Sequence, residues 1–400
     1  MLRQHNSYTY PIDISDRPHT FSYAELRDAT GDFNAENKLG EGGFGPVYKG
    51  KLPDGRTVAV KQLSVTSHQG KRQFLAEISI ISAVQHRNLV KLLGCCFEKE
   101  KRLLVYEYLE NNSLDRALFA GGGLQLDWAV RYEICVGMAR GLAYLHEESR
   151  LRIVHRDVKP SNVLLDGHLN PKISDFGLAK LYDEKMTHIT TRIAGTIGYL
   201  APEYAMTGHL TEKVDVFAFG VVVLEILSGR PNAVLDEHGN RVYLLEWVWN
   251  LRESESESVL DMMDPSLSWY NEEEAARLVA VALLCTQAPP VLRPAMSRVV
   301  AMLAGTPRWT MSPISPATSG HSSSATSATP TRPPPPVLRP PAAAAVVLLR
   351  SRRLRCRSPH PVATLSCSPV HCSQTTQPNQ QVRESLERER GSTGIRKTER

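Results

Sequence analysis

Short apolar runs and long amphipathic ones divide the chain into two textures. From about residue 33 to 110 the runs are short and rich in β-branched and aromatic side chains: 56-RTVAVKQL-63, 89-LVKLLGCCF-97 and 102-RLLVYEYL-109. Each reads as a strand. One stretch of helical period interrupts them, 70-GKRQFLAEISIISAV-84, where Phe74, Ile78 and Ile81 share a face. From about 113 the texture turns helical. In 128-WAVRYEICVGMARGLAYLHE-147, Ile134, Met138, Leu142 and Leu145 form one apolar stripe. The run 214-VDVFAFGVVVLEIL-227 is apolar all round but contains Asp215 and Glu225. It is shorter than the roughly 20 residues that a bilayer span needs, so it predicts a helix buried in a globular domain. The order predicts an α+β, bilobal fold: a small strand-rich lobe with one helix, then a larger helical lobe. Ligands are expected in the cleft between such lobes.

The flanks have a different character. Residues 1–32 are mixed and polar, with one short helix expected over 22-SYAELRDAT-30, and are set apart as an N-terminal segment. The domain is expected over 33–305. Beyond Gly305 the periodicity stops, and 306–400 is rich in Pro, Ser, Ala and Arg; that composition predicts disorder. Charge sharpens this division. Residues 307–400 carry 14 Lys and Arg against 4 Asp and Glu, in a chain whose net charge is only +5. The basic balance therefore belongs to the tail, and the domain itself is net acidic and no candidate for nucleic-acid binding. The seven cysteines are scattered and odd in number, which fits a reducing compartment better than a disulfide framework. Cys367, His371 and Cys372 lack a second ligand pair at zinc-finger spacing. The first residues have no apolar core of signal-peptide type.

Candidate chemistry begins at 39-LGEGGFGPVYKG-50, where Gly40, Gly42 and Gly45 give G-x-G-x-x-G. Glycines let a backbone approach phosphate oxygens closely. A dinucleotide fold would open a helix at the third glycine. Pro46 and the strand-like 47-VYK-49 follow instead, which favours a hairpin lid over phosphates. Lys61 ends an apolar strand; its bland alternative is a lysine that snorkels to solvent. Glu77 lies on the apolar face of the helix with Phe74 and Ile81. A lone buried carboxylate is costly, so Lys61 is its candidate partner. Asp157, in 155-HRDVKPSN-162, and Asp175, in 174-SDFGLAK-180, each follow an apolar strand-like segment. Two aspartates delivered to one place suit Mg²⁺ and phosphate. Unrelated turn aspartates would explain either one alone, but explain poorly both of them together with Lys159, Asn162 and the glycine loop.

This ordered set, completed by 201-APE-203, resembles the eukaryotic protein kinase signature. The finer resemblance, carried by 21-FSYAELRDATGDF-33, 84-VQHRNLVKLLGCC-96, 195-GTIGYLAPEY-204 and 282-ALLCTQ-287, is to plant receptor-like kinases of the Pelle type, most of all the cytoplasmic kinase domains of leucine-rich-repeat receptors. The resemblance implies a bilobal protein-kinase fold and an ATP-dependent serine/threonine kinase, with Mg²⁺ or Mn²⁺ as metal. It also makes residues 1–32 juxtamembrane-like. By resemblance, Asp157 is the catalytic base and Lys159 meets the transferring phosphoryl group. Asn162 and Asp175 hold metal. Leu39, Gly40, Glu41, Gly42, Gly43, Phe44, Gly45, Val47, Ala59, Lys61, Glu77, Glu107, Leu109 and Leu164 form the ATP site, with Tyr106 as gatekeeper. Thr190 and Thr191 are the expected phosphorylation sites, opposite Arg156. Thr196, Glu203, Asp215 and Arg293 are supports, the second and fourth as an ion pair. The partners implied are ATP, protein substrates, and a membrane receptor kinase or a second copy acting in trans. The chain as written is expected in the cytoplasm, or at the inner face of the plasma membrane if it belongs to a longer receptor. The rival readings are a catalytically weak scaffold of the same fold and an inert product of a truncated gene.

Overall fold

A computed structural model describes residues 18–42, 45–63, 68–120, 124–182, 189–235, 238–254 and 256–305, without the side chains of 68–73, 189 and 190. The N-terminal lobe is a six-stranded sheet: β1 (His19–Thr20), β2 (Lys38–Gly42), β3 (Gly45–Lys51), β4 (Thr57–Gln62), β5 (Leu92–Glu98) and β6 (Lys101–Glu107). Their order is β1-β5-β6-β4-β3-β2. β1 runs parallel to β5 and the other pairs are antiparallel. Two helices, α1 (Tyr23–Ala29) and α2 (His68–Ile81), belong to this lobe.

Strand alternation sorts the lobe's side chains. Val58, Val60, Leu103 and Val105 point to one face, where they form a small core with Phe21 and Leu26. Ala59, Leu104 and Tyr106 point to the other and join the large core that continues into the second lobe. Lys61, next in the alternation after Ala59, therefore faces the cleft. The segment set apart from the domain in the sequence is part of this lobe from residue 19 onward. β1 adds the outermost strand, and Phe21 and Leu26 are buried. Ser22 caps α1 by accepting a hydrogen bond from the Glu25 amide at 3.1 Å.

The C-terminal lobe is mainly helical: α3 (Leu114–Phe119), α4 (Trp128–Ala143), α5 (Pro202–Thr207), α6 (Lys213–Ser228), α7 (Leu244–Glu253), α8 (Glu272–Cys285) and α9 (Met296–Leu303). Short strands link them: β7 (Ile153–Val154), β8 (Val163–Leu165), β9 (Pro171–Ile173), β10 (Lys180–Leu181), β11 (Ile189–Thr190), β12 (His209–Leu210), β13 (Ala233–Leu235) and β14 (Arg241–Tyr243). β8 pairs antiparallel with β9, and β7 with β10. These two hairpin-like pairs place the loops after β7 and β9 side by side. Every residue of α6 from Val214 to Ser228 is buried, as its all-round apolar sequence requires. Among the described residues no helix is long and apolar enough to cross a membrane.

Candidate active site

A cavity of about 370 Å³ lies between the lobes. Its roof is β2, β3 and β4; its floor is β8 and the loop after β9. Leu39, Gly40, Glu41, Gly42, Gly45, Val47, Ala59, Lys61 and Glu77 line it from above. Glu107 and Leu109 line its back, and Lys159, Asn162, Leu164 and Asp175 its floor. Gly43 and Phe44 lie outside the described residues. At Gly45 a glycine is required, since φ is +122° and a Cβ would sit 2.0 Å from the Gln62 carbonyl oxygen of the neighbouring strand. Around Gly42 there is open space.

Lys61 and Glu77, paired in the sequence argument, meet at 2.9 Å, and the same ammonium reaches Asp175 at 2.8 Å. Both ends of the first pair are buried, Glu77 fully. Burial pulls the Lys61 pKa down, but the carboxylates of Glu77 and Asp175 outweigh it and hold the amine above its ordinary value. Burial likewise favours a neutral Asp175, yet the Lys61 charge wins and keeps its pKa below the usual carboxylate value. The Tyr106 hydroxyl donates to Glu77 at 2.5 Å. Burial, and then the Glu77 charge, push that phenol well above its ordinary pKa, so it stays a neutral donor. Asp175 occupies the left-handed region at φ +65°, which Asp tolerates better than most residues.

On the floor, Asp157 is the centre of a polar cluster. Thr196 donates its hydroxyl to Asp157 Oδ1 at 2.6 Å. Lys159 Nζ lies 3.0 Å from Asp157 Oδ2 and 2.9 Å from the Thr196 hydroxyl. Asn162 donates its amide to the Asp157 carbonyl at 2.8 Å and carboxylate at 3.0 Å. Those bonds use the amide nitrogen and not the amide oxygen, and Asn162 and Asp175 both line the cavity. Two oxygen donors of this kind fit a hard divalent cation.

The backbone of the Asp157 loop hangs from α6. Asp215, fully buried, accepts from the His155 amide at 2.7 Å, the Arg156 amide at 2.8 Å and His146 Nε2 at 2.9 Å. Burial alone would raise the Asp215 pKa, but these donors hold it down. Arg156 sits at φ +70°. Its guanidinium donates to the Leu178 carbonyl at 2.5 Å and to the Tyr204 hydroxyl at 3.3 Å. Neither contact supplies a counter-charge. Lys180 lies near enough that its pKa is lowered, first by burial and then by the Arg156 charge. Thr191 is described and half-buried, whereas the side chain of Thr190 lies outside the described residues. Glu203 and Arg293 form a two-pronged pair at 2.7 and 2.8 Å.

Several groups at the site escaped the sequence argument. Asp115 and Arg116 of α3 line the cavity, and Arg116 donates to the Leu39 carbonyl across its mouth at 3.2 Å. Beyond Thr196, the Tyr199 hydroxyl reaches both carboxylate oxygens of Glu225 at 2.9 and 3.0 Å. Burial raises the Glu225 pKa to about 8 against the pull of these donors. A glutamate inside an otherwise apolar helix was the available signal, since it needs a buried donor. The four described cysteines are free thiols, and burial pushes Cys135 and Cys285 up to about 12.

With this geometry in view, comparison with known proteins is informative. A family model described as protein kinase domain matches residues 33–289. A probable LRR receptor-like serine/threonine-protein kinase of Arabidopsis thaliana is 68% identical over 294 residues, covering 74% of this chain and 28% of that protein. A second protein of the same description, also from Arabidopsis thaliana, is 66% identical over the same shares of both chains. The chain thus spans little more than a quarter of these receptor relatives. Cold-responsive protein kinase 1 of Arabidopsis thaliana is 55% identical over 299 residues, 74% of this chain and 76% of the relative. The signature carried by the glycine strand, Lys61, Asp157 and Asp175 thus has the company expected of it, and the chain belongs to the protein kinase family.

Proposed function

We propose that this chain is an ATP-dependent protein serine/threonine kinase of plant receptor-type signalling, with its catalytic domain formed by residues from about 19 to 305. The observation that carries the reading is the convergence of Lys61, Asn162 and Asp175 on one cleft, with Asp157 bonded to Asn162 at its edge. In this reading the adenine lies between Val47 and Ala59 above and Leu164 below, against the Glu107–Leu109 backbone. Lys61, steadied by Glu77, holds the α- and β-phosphates. Asn162 and Asp175 hold Mg²⁺, which when bound neutralises phosphate charge. Asp157 accepts the proton of the substrate hydroxyl as its oxygen attacks the γ-phosphorus and the bond to the bridging oxygen of ADP breaks. Lys159 offsets the charge that develops on the transferred group.

Thr196 beside Asp157 suits a serine or threonine acceptor. Arg156 and Lys180, two cations with no carboxylate bonded to Arg156 among the described residues, suit an anion on the activation segment, and phosphorylation of Thr190 or Thr191 would supply one. A receptor kinase or a second copy acting in trans is the natural source of that phosphate. Placement at the inner face of the plasma membrane would follow from such a partner. The scaffold reading is disfavoured by the presence of Lys61, Asp157 and Asp175 together. The test is phosphoryl transfer from ATP to a serine peptide by the wild-type chain and by Asp157→Asn. The variant is expected to bind nucleotide normally and to lose turnover by roughly two to four orders of magnitude. Near-normal turnover would remove Asp157 from its role.

A further inference from the structure

The segment Thr196–Tyr199 is held at both ends. Thr196 is bonded to Asp157 and Lys159, as described above. The other end is tied to the C-terminal side of α6 by Asn232, the residue that precedes β13. Asn232 is 3% exposed. Its side-chain amide donates to the Gly198 carbonyl at 3.0 Å, and its backbone amide donates to Glu225 Oε1 at 2.8 Å. Its own carbonyl accepts from the Leu244 amide at 2.8 Å. Glu225 in turn takes the Tyr199 hydroxyl. One buried cradle, Glu225 and Asn232, therefore grips two consecutive residues, Gly198 and Tyr199.

The fit is close. Gly198 has φ +100°, and a Cβ there would lie 2.6 Å from the Asn232 amide nitrogen. The contact depends on a conformation that side-chain-bearing residues rarely adopt, and the Asn232 side-chain amide is the donor that reaches the Gly198 carbonyl. An apolar residue would fill the space at position 232 as well but would leave the Gly198 carbonyl without this partner. The Asn232 side chain donates 34 residues away in sequence, two positions from the residue whose hydroxyl is bonded to Asp157.

We infer that Asn232 is a positioning residue for the protein substrate: through the Gly198 carbonyl it fixes the Thr196–Tyr199 segment against which the acceptor-bearing peptide lies. The inference rests on the kinase reading. Asn232 touches neither the nucleotide cavity nor Asp157, so its loss acts on peptide binding and leaves nucleotide binding alone.

The experiment uses the full chain, a serine peptide that the wild type phosphorylates, and a fluorescent ADP analogue. Asn232→Ala is expected to raise KM for the peptide roughly tenfold, the consequence of losing one buried hydrogen bond, with kcat changed less than threefold and the Kd of the analogue unchanged. Asn232→Asp keeps the shape but not the donor and is expected to be at least as impaired. An unchanged peptide KM in Asn232→Ala, or a normal KM in Asn232→Asp, overturns the inference, as does a kcat loss with KM intact. If Asn232→Ala no longer binds the analogue, Tyr199→Phe decides: it removes one hydroxyl from the same cradle without opening a cavity. A rise in its peptide KM supports the inference and an unchanged KM overturns it. A wild-type chain that binds the analogue but phosphorylates no peptide would instead count against the kinase reading.

Discussion

The roof and floor of the cleft are built on opposite plans. On the floor, the functional loops are tied down through backbone groups. Asp215 holds two successive amides, and the Ser174 amide and hydroxyl both donate to the Asn162 carbonyl, at 2.8 and 2.9 Å. The Asp215 anchor rests on α6, which is buried from Val214 to Ser228. From the roof, the key contacts run from side chain to side chain: Lys61 and Tyr106 to Glu77, and Lys61 across the cleft to Asp175. Backbone hydrogen bonds fix a loop whether or not a ligand is present. Ion pairs between long side chains hold only while the elements that carry them stay in register. The floor is thus held by its own backbone, whereas the side-chain contacts of the roof depend on the position of α2, which carries Glu77.

Breaking the floor has the largest expected effect. Asp215→Ala leaves the His155 and Arg156 amides and His146 without their acceptor, at a cost of about 1–3 kcal/mol for each group left buried and unsatisfied. Such a sum is a large share of a domain's stability. The variant is expected to unfold at a markedly lower temperature and to lose transfer altogether. A near-wild-type melting temperature by calorimetry would refute this view of the floor.

The roof should fail differently. Glu77→Gln keeps volume and the potential to accept from Tyr106, but removes the charge that centres Lys61. The ammonium retains Asp175 as a partner at 2.8 Å, so the fold is expected to survive with a modest fall in melting temperature. Catalysis is less tolerant, because a displacement near 1 Å at a reacting group costs about a hundredfold. Transfer should therefore drop by about two orders of magnitude while the melting temperature falls only modestly. An equal loss of stability and activity would erase the distinction between the two halves.

The same contrast governs what the sequence disclosed. The floor was legible because its residues are contiguous: 155-HRDVKPSN-162 and 174-SDFG-177 each sit in one loop after one strand. Lys61 at the end of 58-VAVK-61 was ambiguous by itself, and a glutamate on an apolar helix face that called for a cation gave it a partner. Among contacts between distant segments, Lys61–Glu77 and Glu203–Arg293 were legible, the first from a buried charge and the second from the family resemblance; the others were not. The short helix expected over 22–30 stands as α1, but nothing in the composition of 18–32 shows that it and β1 cover the sheet, because Phe21 and Leu26 are two apolar residues in a polar stretch. Arg116 at the cavity mouth and Asn232 behind Gly198 make ordinary hydrogen bonds to carbonyl oxygens, and such bonds leave no periodic trace. Gly43, Phe44, the Thr190 side chain and the tail 306–400, for which the sequence sets expectations, lie outside the described residues.

The smallest effect concerns Glu225, where the floor's rigidity has a cost that depends on pH. Its carboxyl is buried, and its pKa is raised from 4.5 to about 8. The groups facing it are the Tyr199 hydroxyl, the Asn232 amide and, at longer range, Asp115; none is a cation. Below pH 4.5 the carboxyl is protonated both folded and unfolded, and its full contribution to stability is present. Between 4.5 and about 8 the unfolded chain releases the proton while the folded chain keeps it. The unfolded state then binds fewer protons, and stability falls as pH rises. Above about 8 that contribution is gone. Glutamine resembles the protonated form and does not titrate, so Glu225→Gln removes this slope. The difference in melting temperature between variant and wild type should grow in the variant's favour from pH 5 to pH 8, by at most a few kcal/mol in stability. Transfer near pH 7 should change little, because the wild-type group is already neutral there. A difference that stays flat across that interval would mean that Glu225 is ionised in the folded protein, and that the cradle behind Tyr199 holds a charge after all.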